Sequence, residues 1–228
     1  MVGQAENTSA KTSTAWVITV LHEHFHQLQD SQPNFYSDVN ALNLARGDQT
    51  GMWMLNYAFP YERKEVQEQF AAMSKLLAAA MEAPKRERAK RLRDYLEARQ
   101  KFQQLLEPDD YKYFSFQVWK EGIARYTEYR VGQIAATKYR VSKEFRELQD
   151  YQSFAEVART TRERIFRQLE TKSLAKQNAR WSIPLERLKG CCWIRSIPAG
   201  GGVTLWRSLI CGNCIRKGRP FSEEYLVG

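Results

Sequence analysis

The sequence predicts a mainly α-helical protein with little or no sheet. Two observations carry that expectation. Apolar residues recur every three or four positions through successive stretches between residues 14 and 179, the spacing that gathers them on one face of a helix. Pro33, Pro84 and Pro108 punctuate those stretches, as proline does when it ends one helix or opens the next.

Residues 1–13 are polar and rich in Ser, Thr and Ala, and are expected to form a loose lead-in. A helix follows, capped by Thr14, with Trp16, Val17, Val20, Leu21, Phe25 and Leu28 as its apolar stripe and Gln32-Pro33-Asn34 as its end. Residues 35–61 mix aromatics with turn signals, notably Arg46-Gly47-Asp48-Gln49-Thr50-Gly51, and are expected to pack over that first helix. Residues 62–81 and 85–106 are each helical in period, through Val66, Phe70, Met73, Leu76, Leu77 and Ala80 in the first, and predict a helical hairpin. Pro108-Asp109-Asp110 restarts the chain, residues 111–149 are rich in helix formers, and Phe154, Val157, Ala158, Ile165 and Leu169 mark one more amphipathic helix. These stretches make one expected domain, residues 14–181.

Composition bounds the function class. The 228 residues are 43% hydrophobic and 27% charged, the balance of a soluble globular protein. The apolar run at 15–21 is too short to cross a bilayer and lacks the flanks of a signal peptide. As written the chain is expected in the cytoplasm; a missing N-terminus carrying a signal would make it exported. The net charge of +9 raises the question of an anionic partner. Its densest cluster, residues 85–101, holds eight basic and three acidic residues and reads as a solvated helix face, which argues against nucleic acid. A non-catalytic helical protein binding nucleic acid or an acidic partner through that face is the alternative function.

All three histidines fall within His22-Glu23-His24-Phe25-His26. Two ligands four residues apart stand side by side on a helix, and zinc takes imidazole nitrogens and carboxylate oxygens in a tetrahedron. Glu23, beside the first histidine, is placed to take a proton from water. A His-rich turn on an exposed helix would need no ligand. The apolar flank, Val17, Val20, Leu21, Phe25 and Leu28, argues instead for a buried helix, on which His and Glu need partners. His24 points elsewhere and is expected to be structural or to support the ligands from outside. The chain continues Gln27-Leu28-Gln29-Asp30-Ser31, with no third histidine, so the third ligand must be a carboxylate. The best candidate lies in Trp119-Lys120-Glu121-Gly122-Ile123-Ala124-Arg125-Tyr126-Thr127-Glu128-Tyr129, where Glu121, Arg125 and Glu128 share one helix face and the small Gly122 and Ala124 permit close approach of another helix.

The pairing of His-Glu-x-x-His with a later Trp-x-Glu-Gly-x-Ala-x-Tyr-x-Glu helix resembles the gluzincin metallopeptidases. The resemblance covers these two helices. It implies a zincin-like helical domain with Zn2+ held by His22, His26 and Glu121, and Glu23 as general base in hydrolysis of a peptide or protein substrate. Arg125 or Tyr126 is then the expected oxyanion stabiliser, Tyr129 a third candidate, and Glu128 a supporting residue. Because 95 positions separate His26 from Glu121, the helical hairpin would be an insertion in that pattern.

After Trp181 the periodicity stops. Cys191-Cys192 and Cys211-Gly212-Asn213-Cys214 lie in an irregular tail, residues 182–228. Adjacent cysteines fit a structural zinc site poorly, and a disulfide-bearing end would imply export. A frame error is the third reading: shifted to each codon's third base, Cys191-Cys192-Trp193-Ile194 reads Leu-Leu-Asp for every codon choice.

Overall fold

The computed structural model describes residues 10–171 and Leu174. The cysteine-containing tail and its frame-error reading lie outside the described residues, as do residues 1–9. Among the described residues there are eight helices and no strand: α1 (Ser13–Asp30), α2 (Phe35–Ala41), α3 (Trp53–Asn56), α4 (Lys64–Glu82), α5 (Lys85–Gln104), α6 (Pro108–Lys138), α7 (Lys143–Arg146) and α8 (Phe154–Thr171). None is long and apolar enough to cross a membrane.

The expected hairpin is α4 and α5, turned at Ala83 and Pro84. Helix α6 is the axis of the molecule. Pro108 opens it, with Asp109 and Asp110 in its first turn, where a fixed φ and negative charge both suit a helix start. From Tyr113 to Trp119 every side chain is buried, so this half of α6 is enclosed all round rather than on one stripe. On one side it meets the hairpin: Phe114 packs on Phe102 with centroids 4.8 Å apart, and Phe102 on Phe70 at 6.1 Å. On the other it meets the 35–61 segment, through Trp53 against Phe116 at 5.4 Å and Tyr57 stacked on Tyr113 at 4.3 Å. That segment therefore packs on α6 through its aromatic side chains and touches α1 through α2.

The start of the chain departs from expectation. Thr12, not Thr14, caps α1, its hydroxyl accepting from the Ala15 amide. Thr14 is fully buried and its hydroxyl donates to the Gln152 carbonyl at 2.6 Å. Ser13 donates from backbone and hydroxyl to Asp150. Thr12 and Ser13 are thus tied to the turn before α8 rather than loose.

A larger departure concerns which face of α1 is inside. Its buried residues are Thr14, Ile18, His22 and Gln29. Leu21 and Leu28, expected in the core, are 37% and 55% exposed, and Trp16 is 37% exposed. Helix α1 packs its mixed polar face on α6 and leaves Trp16, Leu21 and Leu28 outward, with Val17, Val20 and Phe25 half-buried at its edge. Ile18, Phe154 and Val157 form a small second core where α1, α6 and α8 meet.

The basic cluster of α5 does not form a uniform face. Arg99 donates to the Tyr111 hydroxyl at 3.0 Å and Arg88 to the Ala83 carbonyl at 3.2 Å, so both are used structurally. Of the exposed side chains, Arg86, Lys90, Arg93 and Lys101 share their side of the helix with Glu97 and Asp94.

Candidate metal centre

Helices α1 and α6 run antiparallel, and their contact is polar. At the far end of α1, Lys120 Nζ lies 3.2 Å from Asp30 Oδ1. One residue back, Gln29 donates through Nε2 to the carbonyls of Lys120 at 3.3 Å and Trp119 at 3.5 Å. These contacts set the register that brings His22, His26 and Glu121 together.

Nε2 of His26 is 3.1 Å from Nε2 of His22. Glu121 completes the triangle, with Oε1 3.5 Å from His26 Nε2 and Oε2 3.8 Å from His22 Nε2. Zinc bonds of about 2.0–2.1 Å at tetrahedral angles require donor atoms about 3.3 Å apart. The three side chains fit one face of such a tetrahedron, and they are the group among the described residues that could hold a metal ion. The imidazole rings meet edge to face, 87° between planes, which brings their Nε2 atoms together rather than stacking the rings.

Each ring also has a neighbour on its far side, at Nδ1. His26 Nδ1 is 2.9 Å from Gln29 Oε1. Because the Gln29 amide nitrogen is committed to two carbonyls, the atom facing His26 is its oxygen, which makes Nδ1 the protonated nitrogen. On His22, Nδ1 lies 2.9 Å from Glu128 Oε1. This contact is close but does not lie along the ring N–H direction, so it acts as a charge contact that orients the ring rather than a well-aligned hydrogen bond. A partner behind each imidazole is the usual arrangement for metal-binding histidines.

Glu128, buried among three helices, is itself gripped from two sides. Arg125 Nη1 donates to Oε1 at 2.6 Å and Arg164 Nη2 to Oε2 at 2.8 Å. Burial pushes its carboxyl up, yet His22, Arg125 and Arg164 together hold it below the usual carboxylate range. Glu121 shows the same balance, with burial outweighed by His26, His22 and Arg125. His26 is pulled down by burial but ends raised, because Glu121 and Gln29 favour its charged form.

These shifts fix a pH dependence for the metal-free protein. A raised His26 contributes stability fully below its ordinary value of 6.5 and loses it as pH climbs through the folded value. The depressed Glu121 and Glu128 contribute above their ordinary 4.5 and lose it as pH falls through their folded values. In the presence of a chelator the melting temperature is therefore expected to peak between about pH 4.5 and 6.5. Zinc ligation needs neutral imidazole, so saturating zinc should move that peak upward. Thermal unfolding at pH 5.5 and 8 with and without zinc checks both; a chelated protein more stable at pH 8 than at 5.5 would contradict the assignment.

The remaining sequence candidates are placed as follows. Glu23 is exposed, one position and about 100° round the helix from His22, and makes no ion pair or hydrogen bond among the described residues. His24 is exposed and takes no part in the group, so the supporting role expected of it is not what the structure gives. Arg125 is engaged with Glu128, which makes it a positioning residue rather than a free oxyanion donor. Tyr126, five residues from Glu121, lies about 140° away round α6 on a different face. Tyr129 is buried and its hydroxyl accepts from Gln133. Sequence reasoning missed Gln29 and Arg164. Gln29 was within reach as the i+3 neighbour of His26 and i+7 neighbour of His22; Arg164 had no such local signal.

No family model, curated protein or solved structure matches this chain significantly, so what the centre can do follows from its own donors and their spacing.

Proposed function

We propose that this protein is a zinc-dependent hydrolase of gluzincin type. The observation that supports it is the triangle of His22 Nε2, His26 Nε2 and Glu121, spaced at 3.1, 3.5 and 3.8 Å like one face of a tetrahedral zinc site. A zinc ion held there would polarise a substrate carbonyl and make water more acidic at neutral pH. His22 and His26 present Nε2 because Glu128 and Gln29 hold their far nitrogens. Glu23, exposed beside His22 and free of other partners, takes the proton of the attacking water. The water oxygen bonds to the carbonyl carbon, the carbon–nitrogen bond breaks, and Glu23 returns the proton to the leaving amine. The peptide bond is the substrate class implied by the resemblance to gluzincins. The proposal gives Arg125 a positioning role through Glu128 and none to Tyr126 or His24.

Elemental analysis of protein equilibrated with zinc and desalted is expected to give one zinc per chain. Glu23→Gln should keep that zinc and lower hydrolysis of a denatured protein substrate by about 10²–10⁴-fold, the usual share of a general base. Wild-type protein that retains no zinc overturns the proposal, and so does an unimpaired Glu23→Gln.

A further inference from the structure

Helix α8 supplies no donor to the triangle, yet it reaches the centre. Arg164 Nη2 lies 2.8 Å from Glu128 Oε2, and Glu128 Oε1 faces His22 Nδ1. Resting on the zinc reading above, we propose that Arg164 is a positioning residue of the metal centre: it fixes the second oxygen of Glu128, so that the first is turned toward His22, and thereby makes α8 part of the site.

Three features support this over an incidental surface pair. The first is direction. Arg125 stands three residues before Glu128 on the same helix, so that contact follows from local spacing and says nothing about the carboxylate's attitude between helices. Arg164 comes from another helix and fixes that attitude. The second is the absence of a local rival. Of the other arginines on α8, Arg159 pairs with Glu156 and Glu163 and Arg162 with Glu82, while Arg167 makes no ion pair among the described residues. Positions 160, 161, 167 and 168, one turn either side of Arg164, are Thr, Thr, Arg and Gln. Glu128 is its one hydrogen-bond and ion-pair partner among the described residues. The third is the precision of the α6–α8 contact. A Cβ added to Gly132 would sit 3.1 Å from the Ala158 Cβ, so the helices touch closely one turn beyond Glu128. Thr161 and Ile165, both buried, fix the rotation of α8 on either side of Arg164. The backbone that carries Arg164 is thus held in a packed frame, and its side chain, 44% exposed, reaches from there to the buried Glu128.

The test uses the full chain and needs no substrate. Zinc affinity is measured by competition with a chromophoric chelator, and the cobalt-substituted protein is followed by its visible absorption, which reports ligand geometry. Arg164→Ala is expected to lower zinc affinity about 10-fold, the low end of the range for losing a group that orients a ligand because Arg164 acts through Glu128, and to alter the cobalt spectrum. Arg164→Lys should recover part of both, because it restores the charge without the planar fork. In a Glu128→Ala background, Arg164→Ala should cost no further affinity, since nothing remains for it to position. Wild-type affinity and spectrum in Arg164→Ala overturn the proposal and leave the zinc reading intact; so does a full additional loss in the Glu128→Ala background. A wild-type chain that binds neither metal overturns the zinc reading and this inference with it.

Discussion

His26→Ala is expected to lower zinc affinity by about two orders of magnitude, while His24→Ala, two residues away, leaves it unchanged. Structural zinc sites release about 10–16 kcal/mol over four ligands, so one imidazole accounts for about 3 kcal/mol, or about a hundredfold in the dissociation constant. The contrast between neighbours is the informative part. His26 Nε2 converges with His22 Nε2 and Glu121, whereas His24 is exposed and outside the group. A His-rich turn binding metal loosely would lose affinity by similar amounts on removal of any of the three. A folded centre loses it at His22, His26 and Glu121 and keeps it at His24. Competition titrations of the four alanine variants decide the matter, and equal losses at His24 and His26 would sink the assigned ligand set. Hydrolysis should fall with the zinc in His26→Ala and stay at the wild-type level in His24→Ala.

The parts of this fold that the sequence made legible are those set by local pattern. The 3.6-residue period located α1, α4, α5 and α8, a run of helix formers located α6 but extended it to residue 149 where it ends at Lys138, Pro84 and Pro108 marked two boundaries, and the spacing of His22 and His26 placed both on one face of a helix. Glu121 could be singled out because its helix carries a dense set of features, from Trp119 through Glu128, that stand out together. What was illegible depends on which surfaces meet. The apolar stripe of α1 predicts a buried face through Val17, Leu21 and Leu28, but Leu28 is 55% exposed while His22 and Gln29 are each 5% exposed. A helix buries the face its neighbour complements, and α6 offers α1 the polar set Glu121, Glu128 and Lys120. The same limit hid Arg164. One arginine among many on a charged helix carries no mark in the sequence of a carboxylate 36 residues away on α6.

Glu128→Ala carries the largest expected cost to the fold itself, about 2–3 kcal/mol of stability, together with a 10–100-fold loss of zinc affinity. Removing one member of a buried charge pair costs about 3–5 kcal/mol when its partners stay buried. Here the partners can recover part of that, because the Arg164 side chain is 44% exposed and that of Arg125 is 30% exposed, against 3% for Glu128. Their charges gain hydration when the carboxylate goes, which brings the figure below the fully buried case. His22 cannot recover in the same way, since its side chain is only 6% exposed and Glu128 is the acidic group behind Nδ1. Glu128→Gln separates the two effects. It keeps the shape of the side chain and one acceptor oxygen but not the charge, so stability should return in part. That single oxygen cannot serve His22, Arg125 and Arg164 together, so the zinc affinity should stay low. Chemical denaturation of the metal-free variants, paired with zinc competition, measures the two quantities separately. Full recovery of affinity in Glu128→Gln would mean that the carboxylate's charge is not what holds His22 toward the metal.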